Sequence, residues 1–206
     1  GWRRNFTERL TAGLALTYID YEAEAINRTS EYDSYNLNVT STYRLSELWS
    51  LAGQVGYRTL DSENTVINGP TAEDSSSGTL FSLSAIYEGD LNNISIEIAK
   101  ALNPSGEGVV NEEESISVDW QRQIANRLAF GLFGSFQKTT SVSDFDNTDR
   151  DYMTFSPTLR WRVEENVTFN MGYQFRKQDG NTVDEAESNM VFLTLNYDWG
   201  GLLYSR

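Results

Sequence analysis

Ten stretches of this chain alternate apolar and polar residues with a period of two, and each is about 9 to 13 residues long with its shoulders. In the first, Leu10, Ala12, Leu14, Leu16 and Tyr18 share one parity and Thr11, Gly13, Ala15 and Thr17 the other. The pattern returns at residues 35–43, 49–57, 81–87, 94–98, 116–120, 128–136, 153–161, 167–175 and 191–199. A period of two places alternate side chains on opposite faces of a β-strand. Strands of soluble proteins mostly stop near five or six residues, whereas a tilted strand needs about 9 to 11 to cross a bilayer. The fold class expected is therefore all-β: an antiparallel up-and-down transmembrane β-barrel of about ten strands, forming one domain over residues 1–206.

Composition agrees once the alternation is recognised. Hydrophobic residues make up 39% of the chain, and no window approaches the roughly 18 apolar residues of a membrane-spanning helix. A barrel averages its two faces and reads as polar in such a scan. The net charge of −14 argues against nucleic acid as a partner, because phosphates require basic patches. The start at Gly1 shows no charged n-region followed by an apolar stretch, so an exported protein would have lost its signal peptide already.

The content of the polar face separates a membrane barrel from a soluble sandwich. It holds Gly, Ala, Ser, Thr and Asn, interspersed with Arg44, Arg58, Glu97, Asp119, Arg160, Arg162 and Arg176, as a crowded hydrated lumen requires. These seven are the candidate lumen-lining residues. Tyr43, Trp49, Tyr87, Trp120, Trp161, Tyr197 and Trp199 stand at strand ends on the apolar parity, where a girdle at the membrane interface places amphipathic rings.

Connections alternate in length. Short turns are expected near residues 46–47, 90–92, 125–126 and 164–166, and long acidic loops near 23–32, 61–77, 103–114, 140–151 and 178–188. This matches short periplasmic turns and longer extracellular loops. Trp2 precedes Leu10 by eight residues, as Tyr43 precedes Leu51 and Trp120 precedes Leu128, so Trp2 reads as the closing aromatic of a strand. Either the chain is the C-terminal part of a larger barrel, or its first residues are a periplasmic stub on a ten-stranded one. Pro157 lies inside a strand and lacks a donor, which predicts a bulge there.

The whole chain resembles Gram-negative outer-membrane β-barrel proteins, with Asn189-Met190-Val191-Phe192-Leu193-Thr194-Leu195-Asn196-Tyr197-Asp198-Trp199 similar to their closing strand. Tyr173-Gln174-Phe175-Arg176, followed by an acidic loop and that strand, resembles the β-barrel porins associated with exopolysaccharide export. The resemblance implies an outer-membrane location, with lipid, lipopolysaccharide and the barrel-assembly machinery as partners, and polysaccharide or other envelope proteins as further ones. The chain departs from the family pattern in placing residues 200–206 after the closing aromatic, which implies an internal assembly signal or a tail.

The chain contains no histidine and no cysteine. A serine nucleophile lacks its usual base, and a metal site would need oxygen ligands alone. An enzyme is not expected, nor a cofactor. Glu97 and Asp119, on neighbouring strands and one face, are the carboxylate pair that glycoside hydrolysis would require, and an interior ion pair or network with Arg58, Arg160 or Arg176 is the simpler reading. Asp144, Asp146, Asp149 and Asp151 alternate as Ca²⁺ ligands can, but the loop lacks the glycine and closing glutamate of an EF-hand and reads first as solvated. The N-x-S/T matches at Asn5, Asn27, Asn38, Asn93 and Asn166 are read as coincidence. Function is thus expected to be that of a pore or of the membrane component of an envelope export system, the alternative being a closed anchor that presents acidic loops for adhesion or partner binding.

Overall fold

In a computed structural model, residues 1–25, 28–66, 71–104, 110–141, 149–181 and 185–199 are described. They form eleven strands: β1 (Trp2–Asn5), β2 (Leu10–Ala25), β3 (Arg28–Arg44), β4 (Trp49–Val66), β5 (Thr71–Glu88), β6 (Asn92–Pro104), β7 (Val110–Ala125), β8 (Leu128–Ser141), β9 (Asp149–Glu164), β10 (Val167–Gly180) and β11 (Ala186–Tyr197). All belong to one antiparallel sheet in sequence order, with β1 and β11 at its two edges and not paired to each other.

The ten expected strands are present, and β1 is the short strand to which the Trp2–Leu10 spacing pointed. It spans four residues and pairs with the turn-proximal part of β2 from Trp2↔Leu14 to Asn5↔Thr11. Strands also reach further than the apolar runs. β2 and β3 pair from Leu10↔Tyr43 to Ala25↔Arg28, and β4 and β5 from Trp49↔Tyr87 to Thr65↔Thr71, so most of the expected loops at 23–32 and 61–77 are ladder. Backbone hydrogen bonds continue into polar sequence because pairing does not depend on apolar side chains. The expected bulge at Pro157 is absent. Pro157 keeps its place opposite Leu132, and the β9–β10 register is the same at Gly172↔Thr158 and Phe175↔Phe155, with the ladder interrupted between them.

Register assigns every strand residue to a face. The row Leu10, Tyr43, Leu51, Ala85, Ile96, Val118, Gly134, Phe155, Phe175, Asn189 runs through β2 to β11 on one face, called here the outer face. Its apolar side chains are open: Leu16 is 72% exposed, Val55 64%, Leu193 66% and Val191 82%. The inner face buries polar groups instead, with Ser34 at 3% and Asn36 and Asn38 at 8%. A soluble sandwich would cover the apolar face with a second sheet. Here the described strands form a single sheet, and its burial is the reverse of that in a water-soluble core.

Candidate functional site: the inner face of the sheet

Arg44 lies opposite Ser50, Arg58 opposite Asn36 and Gly78, Glu97 opposite Ser84 and Ser117, and Asp119 opposite Ser95 and Phe133. Arg160 lies opposite Ala129 and Asn170, Arg162 opposite Thr168, and Arg176 opposite Thr154 and Ser188. All seven candidate lumen residues therefore share the inner face. They form layers: Arg44, Arg160 and Arg162 near the short turns, Asp119 and Glu97 above them, and Arg58 and Arg176 towards the long connections.

Three of these charges are held by neutral partners. Gln121 Nε2 donates to Asp119 Oδ1 at 3.2 Å, Arg160 Nε donates to Asn170 Oδ1 at 3.3 Å, and Arg58 Nη1 donates to the carbonyl oxygen of Leu102. The expected acid–arginine network is not formed among the described residues, where every ion pair is made by a lysine: Lys100 with Glu112 and Glu114, and Lys177 with Glu185 and Glu187. The inner face also carries apolar groups that the alternation did not flag. Leu60 and Leu80 are buried there, and the ring of Phe192 lies across Gly172, where a Cβ would meet it at 2.4 Å.

On the outer face the girdle residues stand together at the short-turn end. Trp49 packs on Tyr87 with centroids 5.0 Å apart, Trp120 on Phe130 at 5.7 Å, Trp161 on Phe169 at 6.3 Å and Tyr197 on Trp199 at 5.0 Å; Tyr43 lies opposite Leu10 and Leu51. A second belt was missed in the sequence. Tyr18 packs on Tyr35 at 4.8 Å, and Tyr57 stands one strand further, opposite Leu37. Tyr43 to Tyr35 and Trp49 to Tyr57 each span about 26 Å along the strand at ~3.3 Å per residue, or about 20 Å of membrane normal at a tilt of ~40°. That distance suits the apolar band of an outer membrane.

Beyond the second belt the two halves of the sheet differ. Asp20, Asp33 and Asp61 lie directly opposite one another across β2–β4, and Glu22, Glu31, Glu63 and Glu73 do so across β2–β5. From β6 to β9 the signs alternate in Lys100, Glu114, Lys138 and Asp151. Like charges directly opposite destabilise a sheet by roughly 0.2–1 kcal/mol per pair. Asp33→Asn is therefore expected to stabilise the refolded protein by about that amount. The wild type should gain stability as salt screens the rows, and the variant should gain less; chemical denaturation at two ionic strengths checks both.

Of the proposed calcium ligands, Asp144 and Asp146 lie outside the described residues. Asp151 faces Lys138 and Asp179, and the backbone N–H of Asp149 donates to Asn181 Oδ1 at 2.9 Å. Among the described residues no group of three or more His, Cys, Asp or Glu is placed to hold a metal ion.

Comparison with known proteins supplies the class. The sequence profile of the autotransporter β-domain family matches residues 1–98. The outer-membrane channel DcaP of Acinetobacter baumannii aligns at a TM-score of 0.52 and 12% identity over 92% of this chain and 71% of its own. The fold of this chain is that of Gram-negative outer-membrane β-barrels. Two further barrels align over most of its length: the FpvAI–pyocin S2 complex at a TM-score of 0.61, 11% identity and 98% coverage, and the ferric yersiniabactin uptake receptor FyuA of Yersinia pestis at 0.53, 11% and 84%. The chain spans 36% and 32% of those two chains. At these identities the likeness is one of fold. No curated protein sequence matches. In an outer-membrane barrel of this fold the apolar face meets lipid between aromatic belts and the polar face is turned to the interior.

Proposed function

We propose that this outer-membrane barrel is a pore, serving as the membrane component of an envelope export system, and that Arg44, Arg58, Glu97, Asp119, Arg160, Arg162 and Arg176 line its lumen. The observation that supports this reading is the state of those charges: they share the polar inner face, three of them bond to neutral groups, and none closes an acid–arginine pair across it. Unpaired interior charges leave water and ions a path and set its selectivity, whereas a plugged barrel neutralises them in pairs. Lipid and lipopolysaccharide surround the outer face in this reading, and the barrel-assembly machinery inserts the chain. Polysaccharide and other envelope proteins are the partners that export implies.

Single-channel recording of the refolded chain in a planar bilayer, at two salt concentrations, tests it. Discrete conductance steps with a preference for anions are expected, because arginines outnumber acids among the seven. Arg160→Gln combined with Arg176→Gln should move the reversal potential towards cations without abolishing conductance. Stable insertion without conductance would overturn the pore and leave the anchor that presents acidic surfaces to a partner.

A further inference from the structure

The β5–β6 ladder stops at Phe81↔Lys100, although β5 continues to Thr71. The β6–β7 ladder runs without a shift to Pro104↔Val110. Beyond Lys100, residues 101–104 of β6 and 110–113 of β7 have thus left β5 as a paired unit. Leu102 shows where it has gone. Its register places it on the hairpin face that carries Ile94, Ile96 and Ile98 outward. Yet Leu102 is 3% exposed and packs with Leu60 and Leu80, which belong to the inner face of β4 and β5, and Tyr32 of β3 packs against the same cluster. Its carbonyl oxygen accepts the hydrogen bond from Arg58. Gly78 makes the room, since a Cβ on this inner-face residue would lie 2.5 Å from Leu102 Cδ1. The hairpin has rolled inside the sheet and laid its outer face on the inner face of its neighbours.

We propose that this hairpin end is a latch across the interior, seated by Arg58 and Leu102 and able to swing back beside β5. Seating buries three leucines and forms one hydrogen bond from a charged donor. It also encloses Ser34 Oγ, Asn36 Oδ1, Arg58 Nε and Ser76 Oγ without partners. These four atoms occupy two adjacent rungs, Ser34–Leu60–Ser76 and Asn36–Arg58–Gly78, in the same stretch of the inner face as Leu60 and Gly78. An unsatisfied buried polar group opposes burial by an amount comparable with what a buried leucine contributes. The seated and released states are therefore close in free energy, which is the condition for a switch. Lys100, bonded to Glu112 at 2.5 Å and Glu114 at 3.4 Å, ties β6 to β7 where the hairpin departs, so the two strands move together. The latch narrows a conducting lumen only if the pore reading holds, but its existence does not depend on conduction.

The absence of cysteine permits a direct test. Ser76→Cys is a near-isosteric reporter under the latch, and Ser46→Cys in an exposed turn is the reference. With the full chain refolded in detergent micelles, a water-soluble maleimide should modify Cys at 76 at least about tenfold more slowly than Cys at 46. Arg58→Met, which removes the charged donor, should raise the rate at 76 by roughly tenfold. Gly78→Val should do the same by displacing Leu102, which keeps the test decisive if the arginine variant does not fold. Equal rates at 76 and 46 in the parent, or a protected 76 indifferent to both substitutions, would overturn the latch. Protection at 76 in a chain that is silent in bilayers would sustain the latch and overturn the pore.

Discussion

Val55→Arg is expected to destabilise the refolded protein by about 1–2 kcal/mol, and Gln54→Arg, one residue away, by well under half of that. Val55 is 64% exposed on the outer face, directly opposite Val39 and Phe81, within the band between the Trp49 and Tyr57 belts and two residues from Tyr57. A guanidinium there must be taken out of water into hydrocarbon or bend the bilayer towards itself. Gln54 points to the inner face, opposite Thr40 and Ser82, with its Nε2 donating to Asn38 Oδ1 at 3.1 Å. An arginine at that position joins a face that already carries Arg58. Urea titration of both variants in lipid vesicles measures the difference. Equal losses would mean that the outer face does not contact lipid.

Gly56→Val is expected to cost roughly 1–3 kcal/mol or to prevent folding, the cost of forcing volume into a packed site. A Cβ at Gly56 would fall 2.0 Å from Asn38 Oδ1 and 2.9 Å from the carbonyl oxygen of Leu37, and the second of these is backbone that the β3–β4 ladder holds in place. Gly134→Val is the contrast. A Cβ there meets nothing within 4 Å, on the outer face where Val118 and Phe155 lie opposite. Valine also has the better strand propensity, so this variant should be neutral or slightly stabilising. Parallel denaturation curves in the same micelles separate the two glycines.

The two faces were legible before any coordinates because a period of two is a local property. Each of Leu10 to Tyr18 or Val167 to Phe175 states its own orientation, and ten such runs agree. The face of the seven charged candidates follows from the same parity, so Arg44 through Arg176 all fall on one side of the sheet. Aromatic residues that close apolar runs, such as Trp49 and Trp161, were legible for the same reason. The second belt was not, because Tyr18 and Tyr35 stand where the runs pass into acidic sequence and no contrast marks an end. The acidic stretches resembled loops for a related reason: Asp20, Glu22, Glu31 and Asp33 lack the alternation, although their backbones pair rung by rung.

What the sequence determined by itself is the strand, its direction in the hairpin order and the side to which each residue points, since these depend on neighbours a few positions away. Only the tertiary structure decided which residues across the sheet meet. It placed Asp33 opposite Asp61, left the interior arginines without acid partners, and brought Leu102 of β6 over Gly78 and Arg58, more than forty residues earlier in the case of the arginine. Leu102 illustrates the limit, because its parity assigns it to the outside and its packing puts it inside. Parity describes a side chain relative to its own strand, whereas the side on which that strand lies against the rest of the sheet depends on where pairing with β5 ends.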